Sequence, residues 1–355
     1  MSSLPLLIQK KKEIRMIINQ FSVGYVDLSW ILSRNCFAVS ARDENFTAAD
    51  VVRMTIQSLS KWLRLGLSVD KLIFFRDTWD SALKGYIRTA RLRDAGAAIE
   101  YKGDRRYMTE DLLEEIRSNP ESTEEDIRKA EKEYYFNTVK NKAKSILINE
   151  LGNFGISTIS VPGWEFDDLA TLASHLLYNA EKPNVIVAKD SDLLYSTSPK
   201  CSVWQPPLSS KPEKLVTYEE AYHELLPDRF KGRLSLYQYF AMSNATGAIG
   251  HNNVSRTLSS GKNIDDAIDK VISNNDFSDF DQPDVFMKQY QSFDIWNFPK
   301  IEEAKRLILE CVPKIGHLGG LDEFHSFCEK YNINGISDRY YSEFISKFDA
   351  KMFCD

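Results

Sequence analysis

A mostly parallel α/β fold is predicted for this chain of 355 residues, with helices flanking a central sheet. Short β-rich runs alternate with helical patterns over the first two-fifths of the chain, as they do in βαβ units. The run at residues 71–75 is apolar after its first residue, which is typical of a strand that a parallel sheet buries on both faces. Acidic residues follow the ends of four such runs, and open α/β sheets bind ligands at that edge.

The elements follow one another in a regular order. Strands are predicted at residues 23–26, 71–75, 156–161 and 185–188, and helices at residues 29–39, 47–67 and 165–178. Thr47 is a typical N-cap for the second helix, whose apolar residues recur near helical spacing. The alternation predicts a doubly wound sheet.

Residues 108–151 are charge-dense and interrupt this alternation. They are predicted to form two helices, with a break at residues 119–120 because proline ends a helix. Residues 122–125 provide a capping start for the second helix. We expect a helical insertion outside the sheet, whose second helix returns to the core through Ile146 and Leu147.

Strand signals fade after residue 207, and residues 209–212 read as a linker-like turn. Short helices are predicted beyond it at residues 218–226, 233–242, 263–275, 299–312, 319–330 and 337–348. We therefore expect two domains, an α/β domain at residues 1–210 and a helical domain at residues 211–355.

The composition disfavours several classes of protein. Lys and Arg number 45 and Asp and Glu 51, for a net charge of -6 and a pI of about 5.6, which argues against a general polyanion binder. Five cysteines without a CxxC pair disfavour a disulfide framework and a zinc ribbon. A reducing cytoplasm is the simplest location. The apolar start of the chain is too short for a signal peptide, and no run reaches the length of a membrane span.

Acidic residues fall at the carboxyl ends of all four predicted strands. They are Asp27, Asp77, Glu165, Asp167, Asp168, Asp190 and Asp192. Carboxylates a few ångströms apart raise one another's pKa and need a counter-charge. Because oxygen ligands without nearby His or Cys suit Mg²⁺ or Mn²⁺ rather than zinc, the set predicts a metal site. One or two such ions suit phosphodiester hydrolysis.

Each of these acids also has a simpler interpretation. A single Asp after a strand is most often an N-cap or turn residue, and Asp167 and Asp168 would favour a helix N-terminus through its dipole. The spacing of Asp190 and Asp192 also occurs in phosphatases and glycosyltransferases, although a phosphatase of the haloacid-dehalogenase type needs a Thr that this segment lacks. Acids at all four strand ends favour the metal site.

Several stretches resemble one family. Residues 165–170 read EFDDLA, residues 185–192 read VIVAKDSD, residues 101–105 read YKGDR, residues 24–29 read GYVDLS and residues 85–88 read GYIR. The first three resemble motifs of the 5′-nuclease superfamily of flap endonucleases and 5′–3′ exonucleases. The other two fit its phage members, such as the T-even phage ribonuclease H. The resemblance is strongest over about residues 20–207.

This resemblance implies a PIN- or 5′-nuclease-like fold, with a helical arch at about residues 84–151 and a helix–turn–helix-like DNA-binding element in the helical domain. It implies a Mg²⁺-dependent phosphodiester hydrolase, with Mn²⁺ as the alternative ion, that cleaves DNA at 5′ flaps or nicks or removes RNA primers in replication. Partners would be DNA with a flap, a nick or an RNA–DNA hybrid, and single-stranded-DNA-binding or clamp proteins. The location would be the cytoplasm, that of an infected host if the chain is phage-encoded.

The resemblance also implies roles for individual residues. A first metal ion would be held by Asp27, Asp77, Glu165, Asp167 and Asp190, and a second bordered by Asp168 and Asp192. Lys84 and Arg88 would steady the charge that develops on the scissile phosphate. Tyr86 would stack on a terminal base, with a core or rim position as the alternative.

A basic stretch favours contact with nucleic acid even though the net charge is negative. Residues 84–106 contain seven basic and three acidic residues. Besides Lys84 and Arg88, the basic ones are Arg91, Arg93, Lys102, Arg105 and Arg106. Such a stretch neutralises phosphates, and a solvated charged face is the alternative.

The sequence departs from the family where the last acids of the family belong. Asn244 and Gly247 stand where its G-D-x-x-D-N motif has aspartates, so the second metal position loses up to two negative charges. Asn244 keeps a carbonyl oxygen of the kind that metal ions accept. Gly247 and Gly250 lead into the helix–turn–helix-like segment, whose amides would bind phosphate, or else into a plain surface loop. Two functions stay open: an active nuclease with a weakly held second ion, and a DNA-structure-binding relative with reduced or no hydrolysis.

Overall fold

The computed structural model describes residues 21–65, 67, 69–76, 108–161, 164–176, 182–207, 212–245, 258–291, 295–297, 301–311 and 320–341. The basic stretch at residues 84–106 and the helix–turn–helix-like segment after Ala245 lie outside these ranges. What the sequence predicts for them therefore stays a prediction.

A six-stranded sheet forms the centre of the α/β part. Its strands are β1 (Phe21–Asp27), β2 (Val69–Phe75), β3 (Ser157–Ile159), β4 (Asn184–Val187), β5 (Cys201–Gln205) and β6 (Lys214–Val216), in the spatial order β3-β2-β1-β4-β5-β6. The first five are parallel, and β6 pairs antiparallel with β5 at one edge. The mostly parallel sheet and its four predicted strands are confirmed.

Strand β6 lies beyond residue 207, in a part of the chain where the strand signals of the sequence fade. This strand has only three residues, and it forms by pairing with β5 through Val216 opposite Val203 and Leu215 opposite Trp204. Its sequence is too short to show a strand pattern of its own. Strand β5 was not predicted either, and it pairs with β4 on that side.

Strand β1 lies in the middle of the sheet and is almost wholly buried. Tyr25 and Val26 have no exposed surface. The hydroxyl of Tyr25 donates a hydrogen bond to the carbonyl oxygen of Ala173 at 3.1 Å, which satisfies a buried polar group. Burial raises the pKa of Tyr25 well above its usual value, so this hydroxyl keeps its proton.

Helices α1 (Leu28–Ser40), α2 (Ala48–Arg64) and α4 (Glu124–Leu151) cover one face of the sheet and form the first core with it. Helix α3 (Glu110–Ser118) precedes α4, and a 3₁₀ turn at Gly152–Phe154 follows α4. The predicted N-cap Thr47 forms a capping box with Asp50, and Thr123 forms one with Asp126. These paired caps satisfy amides that a helix start leaves without partners.

The insertion at residues 108–151 is helical and lies outside the sheet, as predicted. Helix α4 packs against α1 and α2, and Ala143, Ile146 and Leu147 are buried in the first core. Helix α3 packs on the first half of α4, where Arg117 bonds Glu131 at 2.7 Å. Residues 108–131 contain nine acidic and three basic residues, so the outer half of this hairpin is strongly acidic.

The other face of the sheet is covered by α5 (Phe166–Leu176) and by α10 (Ile301–Cys311), which packs on α5. These helices and the sheet form a second core. Its fully buried members include Ile73, Phe75, Trp164, Leu169, Ile186 and Ile308. Helix α5 is therefore held between the sheet and α10.

The described residues after β6 are mostly helical, as predicted. They contain α6 (Tyr218–Leu225), α7 (Leu236–Ala245), α8 (Ile264–Asn274), α9 (Pro283–Gln291), α11 (Leu321–Lys330) and the short α12 (Asp338–Tyr340), with 3₁₀ turns at Asp228–Phe230 and Ile295–Asn297. Helices α6 to α9 enclose a third core around Phe230, Tyr239 and Phe280.

The last described segments pack back onto the α/β part. Phe324 and Phe327 of α11 belong to the first core, where both rings lie 5.9 Å from Phe154. The division near residue 210 stays a prediction, and α10, α11 and α12 contact the α/β side of it. Within the described residues, no helix is both long and apolar enough to cross a membrane.

Candidate metal centre

The carboxyl ends of the parallel strands meet at one edge of the sheet. Asp27, the last residue of β1, lies opposite Phe75 at the end of β2, and Phe75 lies opposite Ile159 at the end of β3. On the other side, Val26 lies opposite Val187 at the end of β4. The acidic segments that follow these strands therefore begin along a single edge, as the sequence predicts.

Three carboxylates at the start of α5 form a compact group. Glu165, Asp167 and Asp168 each place an oxygen within 4.8 Å of the others. Glu165 and Asp167 are half-buried, and Asp168 is only 2% exposed. Glu165 directly precedes α5, and Asp167 and Asp168 lie in its first turn, so the start of the helix brings the three together.

Asp168 is fixed at the helix start by a local hydrogen bond. The backbone N–H of Glu165 donates to its Oδ2 at 3.3 Å. A helix N-terminus also favours negative charge through its exposed amides. Asp168 therefore has the structural role that an acid at a helix start usually has. The same contacts also hold its buried carboxylate beside Glu165 and Asp167.

Asp190 and Asp192 lie after β4 and are exposed. The backbone N–H of Asp192 donates to Oδ1 of Asp190 at 3.1 Å, which is an Asx turn. A 3₁₀ turn then runs over Asp192–Ser196. This turn places Asp192 beside the acidic group, since Asp192 lines a narrow crevice together with Asp167 and Asp168.

Asp27 has a clear structural role. Its Oδ1 accepts a hydrogen bond of 2.9 Å from the backbone N–H of Trp30 and caps α1. The N-cap interpretation is therefore correct for this acid. A capping carboxylate keeps further lone pairs, so its role as a metal ligand stays a prediction.

The compact group is smaller than the predicted set of seven. In the part of the chain that the structure describes, it consists of Glu165, Asp167 and Asp168 alone. Asp27, Asp190 and Asp192 lie at the same edge but outside the 4.8 Å group, and Asp77 lies outside the described residues.

The predicted nucleic-acid contacts also lie outside the described residues. These are Lys84, Tyr86, Arg88, Arg91, Arg93, Lys102, Arg105, Arg106, Gly247 and Gly250.

Asn244 lies in the last turn of α7, and α7 packs on the 3₁₀ turn that begins at Asp192.

The donor set of the compact group suits a hard divalent cation. All its donors are carboxylate oxygens, the ligands that Mg²⁺ and Mn²⁺ prefer. Ligand oxygens of one Mg²⁺ lie about 3–4 Å apart, so a bound cation would draw carboxylates that lie within 4.8 Å of one another closer together. One buried acid beside two half-buried ones also favours a cation, because their charges repel.

Four further residues line the crevice and were not predicted as part of the site. They are Thr171, Ser196, Tyr237 and Phe240. For Thr171 the sequence did contain a signal, because this residue lies four positions after Asp167 and so on the same face of a helix. The others come from the 3₁₀ turn and from α7, whose approach to the acids depends on tertiary packing.

Solved structures of nucleases are similar to this chain at low identity. One is a flap endonuclease of bacteriophage T5 in complex with DNA and metal ions, at 16% identity and a TM-score of 0.40 over 88% of this chain and 98% of that chain. Another is the T5 5′-exonuclease with bound zinc, at 17% identity and a TM-score of 0.36 over 88% and 98%. A third is the catalytic core of Rad2 with DNA substrate, at 14% identity and a TM-score of 0.42 over 94% of each chain.

No protein-family model and no curated protein matches the chain.

Proposed function

We propose that the chain is a metal-dependent 5′-nuclease that hydrolyses phosphodiester bonds in DNA. The observation that carries this proposal is the group of Glu165, Asp167 and Asp168 at the carboxyl edge of a parallel sheet. Open α/β sheets bind their ligands at this edge. The position, the oxygen-only donor set and the adjacent Asp192 together support a centre for divalent cations.

The chain's own residues have distinct parts in such a centre. Glu165, Asp167 and Asp168 hold the cation, and Asp192 approaches from the other wall of the crevice. Divalent cations, when bound, lower the pKa of water and neutralise charge on phosphate oxygens. Helix α5 is fixed between the sheet and α10, so the carboxylates are preorganised and need little rearrangement.

The distribution of charge supports a particular route for the substrate. The outer half of the α3–α4 hairpin has nine acidic and three basic residues over residues 108–131, which repels phosphates. We assign phosphate binding instead to the basic stretch at residues 84–106. In this assignment Lys84 and Arg88 contact the scissile phosphate and Tyr86 stacks on a terminal base.

The finer points of the proposal come from the sequence resemblance. The substrate would be a 5′ flap, a nick or an RNA–DNA hybrid, and the ion Mg²⁺ or Mn²⁺. The setting would be DNA replication of a bacteriophage in the host cytoplasm, with single-stranded-DNA-binding or clamp proteins as partners.

A second function is favoured by one observation in the sequence. Asn244 and Gly247 stand where the family motif has acids, which weakens the second metal position. The chain would then be a DNA-structure-binding relative with little or no hydrolysis. The crevice shared by Asp167, Asp168 and Asp192 favours the active enzyme, because these carboxylates provide ligands for a second metal position as well as the first.

Cleavage of 5′-labelled flap, nicked and RNA–DNA duplexes in Mg²⁺ and in Mn²⁺ separates the two functions. Asp168→Asn should abolish cleavage, because it removes a buried ligand charge from the compact group. Asp284→Asn is the matched control, since Asp284 is an exposed acid in the first turn of α9. If the wild type binds these duplexes but cleaves none of them in either metal, the nuclease function is rejected and the binding function remains. If Asp284→Asn loses activity as Asp168→Asn does, the assignment of Asp168 as a ligand is rejected.

A further inference from the structure

A hydroxyl pair joins the two walls of the acidic crevice. The Oγ1 of Thr171 in α5 lies 2.7 Å from the Oγ of Ser196, at the end of the 3₁₀ turn. The same Oγ1 lies 2.7 Å from the carbonyl oxygen of Asp167. Thr171 is 1% exposed and Ser196 is 5% exposed, so neither hydroxyl exchanges its partner for bulk water at low cost.

The two distances fix how the protons are arranged. A hydroxyl carries one proton and two lone pairs. When Thr171 donates to the carbonyl oxygen of Asp167, its Oγ1 can only accept from Ser196. The hydroxyls thus form a short chain of hydrogen bonds from Ser196 through Thr171 to the backbone of Asp167, and this chain spans two separate elements of the fold.

Each end of this chain is next to a carboxylate of the proposed centre. Thr171 follows Asp167 by one helical turn, and Ser196 closes the turn that Asp192 opens. All four residues line the same crevice. The separation of the Asp167 wall from the Asp192 wall is therefore set where Thr171 meets Ser196.

We propose that Thr171 and Ser196 are positioning residues that hold Asp192 at the spacing at which it and the α5 carboxylates share divalent cations. The proposal rests on the proposed function, in that these acids bind metal. Without the link, repulsion between the carboxylates favours a wider crevice. With it, the acids are held close before a cation arrives, and less of the binding free energy is used to close the crevice.

The link should matter for metal binding by a moderate factor. A buried hydrogen bond of this kind corresponds to about a 2- to 10-fold change in an equilibrium constant. We expect Thr171→Val to weaken Mn²⁺ binding by that factor, because valine fills similar space without the hydroxyl. Thr171→Ser keeps the hydroxyl and should bind Mn²⁺ as the wild type does.

Titration of the full-length protein with Mn²⁺, followed by electron paramagnetic resonance of the free ion, measures this effect. Ser196→Ala should reproduce the loss, and the double variant should lose no more than either single one, because both remove the same hydrogen bond. Ser174→Ala is the matched control. Its hydroxyl is also buried in α5 and donates to the carbonyl oxygen of Thr171 at 2.7 Å, but Ser174 does not line the crevice.

The outcomes separate this inference from the proposed function. Absence of Mn²⁺ binding in the wild type would overturn the proposed function and the inference with it. Mn²⁺ binding in Thr171→Val equal to that of the wild type, with only a lower thermal midpoint, would overturn the inference alone. If Thr171→Val does not fold, Ser196→Ala against Ser174→Ala decides, and equal Mn²⁺ affinities in these two would reject the positioning role.

Discussion

Glu150, near the end of α4, accepts a hydrogen bond of 2.6 Å from the hydroxyl of Tyr331, which lies 181 residues later in the chain. The Nζ of Lys330 donates to the same carboxylate oxygen at 2.8 Å. Glu150 is 9% exposed. Burial opposes ionisation of Glu150, but the hydrogen bonds from Lys330 and Tyr331 outweigh it and hold the pKa of Glu150 below its usual value. This contact joins the long insertion helix to the last described segment.

We predict that Glu150→Gln lowers the free energy of unfolding by about 1–2 kcal/mol, because it replaces charge-assisted hydrogen bonds with neutral ones. Urea unfolding at neutral pH measures this difference. Glu114→Gln is the control, since Glu114 is 59% exposed and bonds only at the surface with Arg117, and its effect should stay within about 0.5 kcal/mol. Equal losses in the two variants would contradict a special role for Glu150.

The same contact predicts a pH dependence with a defined sign. A carboxyl whose pKa is lowered by folding stabilises the protein above its unfolded pKa, and this stability is lost as pH falls through the lower folded value. The difference between wild type and Glu150→Gln should therefore be greatest near neutral pH and shrink in acid. A difference that grows as the pH falls would contradict the assignment.

The ion pairs of Asp279, in the helical part of the chain, should also weaken in acid. Asp279 is 3% exposed and lies 2.8 Å from the Nζ atoms of both Lys262 and Lys270. Hydrogen bonds from Lys262 and then Lys270 lower the pKa of Asp279. Its stabilising effect should thus be present near neutral pH and lost as the solution is acidified through that pKa.

We expect Asp279→Asn to lower the thermal midpoint clearly at neutral pH, because it leaves two lysines without their shared carboxylate. Asp269→Asn is the matched control on α8. Asp269 also bonds a cation, Arg233, but is 64% exposed, and such surface pairs contribute little. Scanning calorimetry at several pH values measures both. A midpoint for Asp279→Asn that matches Asp269→Asn at every pH would reject the prediction.

Gly24→Ala should destabilise the fold by about 1–3 kcal/mol, the usual cost of overpacking a core. A Cβ atom at Gly24 would lie 3.1 Å from both Leu72 Cδ1 and Val69 Cγ1 on the neighbouring strand. Gly152→Ala is the control, since a Cβ there meets nothing within 4 Å and the backbone is helical. It should leave stability unchanged or raise it slightly. Equal denaturation midpoints for the two variants would show that β1 and β2 adjust without cost.

Much of the fold could be predicted because its signals are local. Thr47 and Asp50 lie three residues apart and form a capping box that sequence spacing alone indicates. The apolar run of β2 and the acids after each strand are also local signals. Even Asp168, the buried acid of the proposed centre, was indicated by its place at the start of the helix that follows a predicted strand.

The rest could not be predicted, because it depends on contacts between distant parts of the chain. The rings of Phe324 and Phe154 meet across 170 positions, and no local pattern shows that α11 returns to the first core. Strand β6 exists only through its pairing with β5. The hydrogen bond between Thr171 and Ser196 likewise needs two elements to meet before either hydroxyl has a partner.

Asp190→Asn should abolish cleavage of a 5′ flap, because it removes a carboxylate from the proposed metal centre. DNA binding should stay intact or become tighter, because the variant has one negative charge fewer at the edge where we propose that DNA binds. An asparagine oxygen can still accept the 3.1 Å hydrogen bond from the N–H of Asp192, so the turn and the thermal midpoint should not change. Asp322→Asn, an exposed acid in α11, is the control and should leave cleavage unchanged. Cleavage rates and flap affinities measured in the same Mg²⁺ buffer test this. Undiminished cleavage by Asp190→Asn would exclude this residue from the centre.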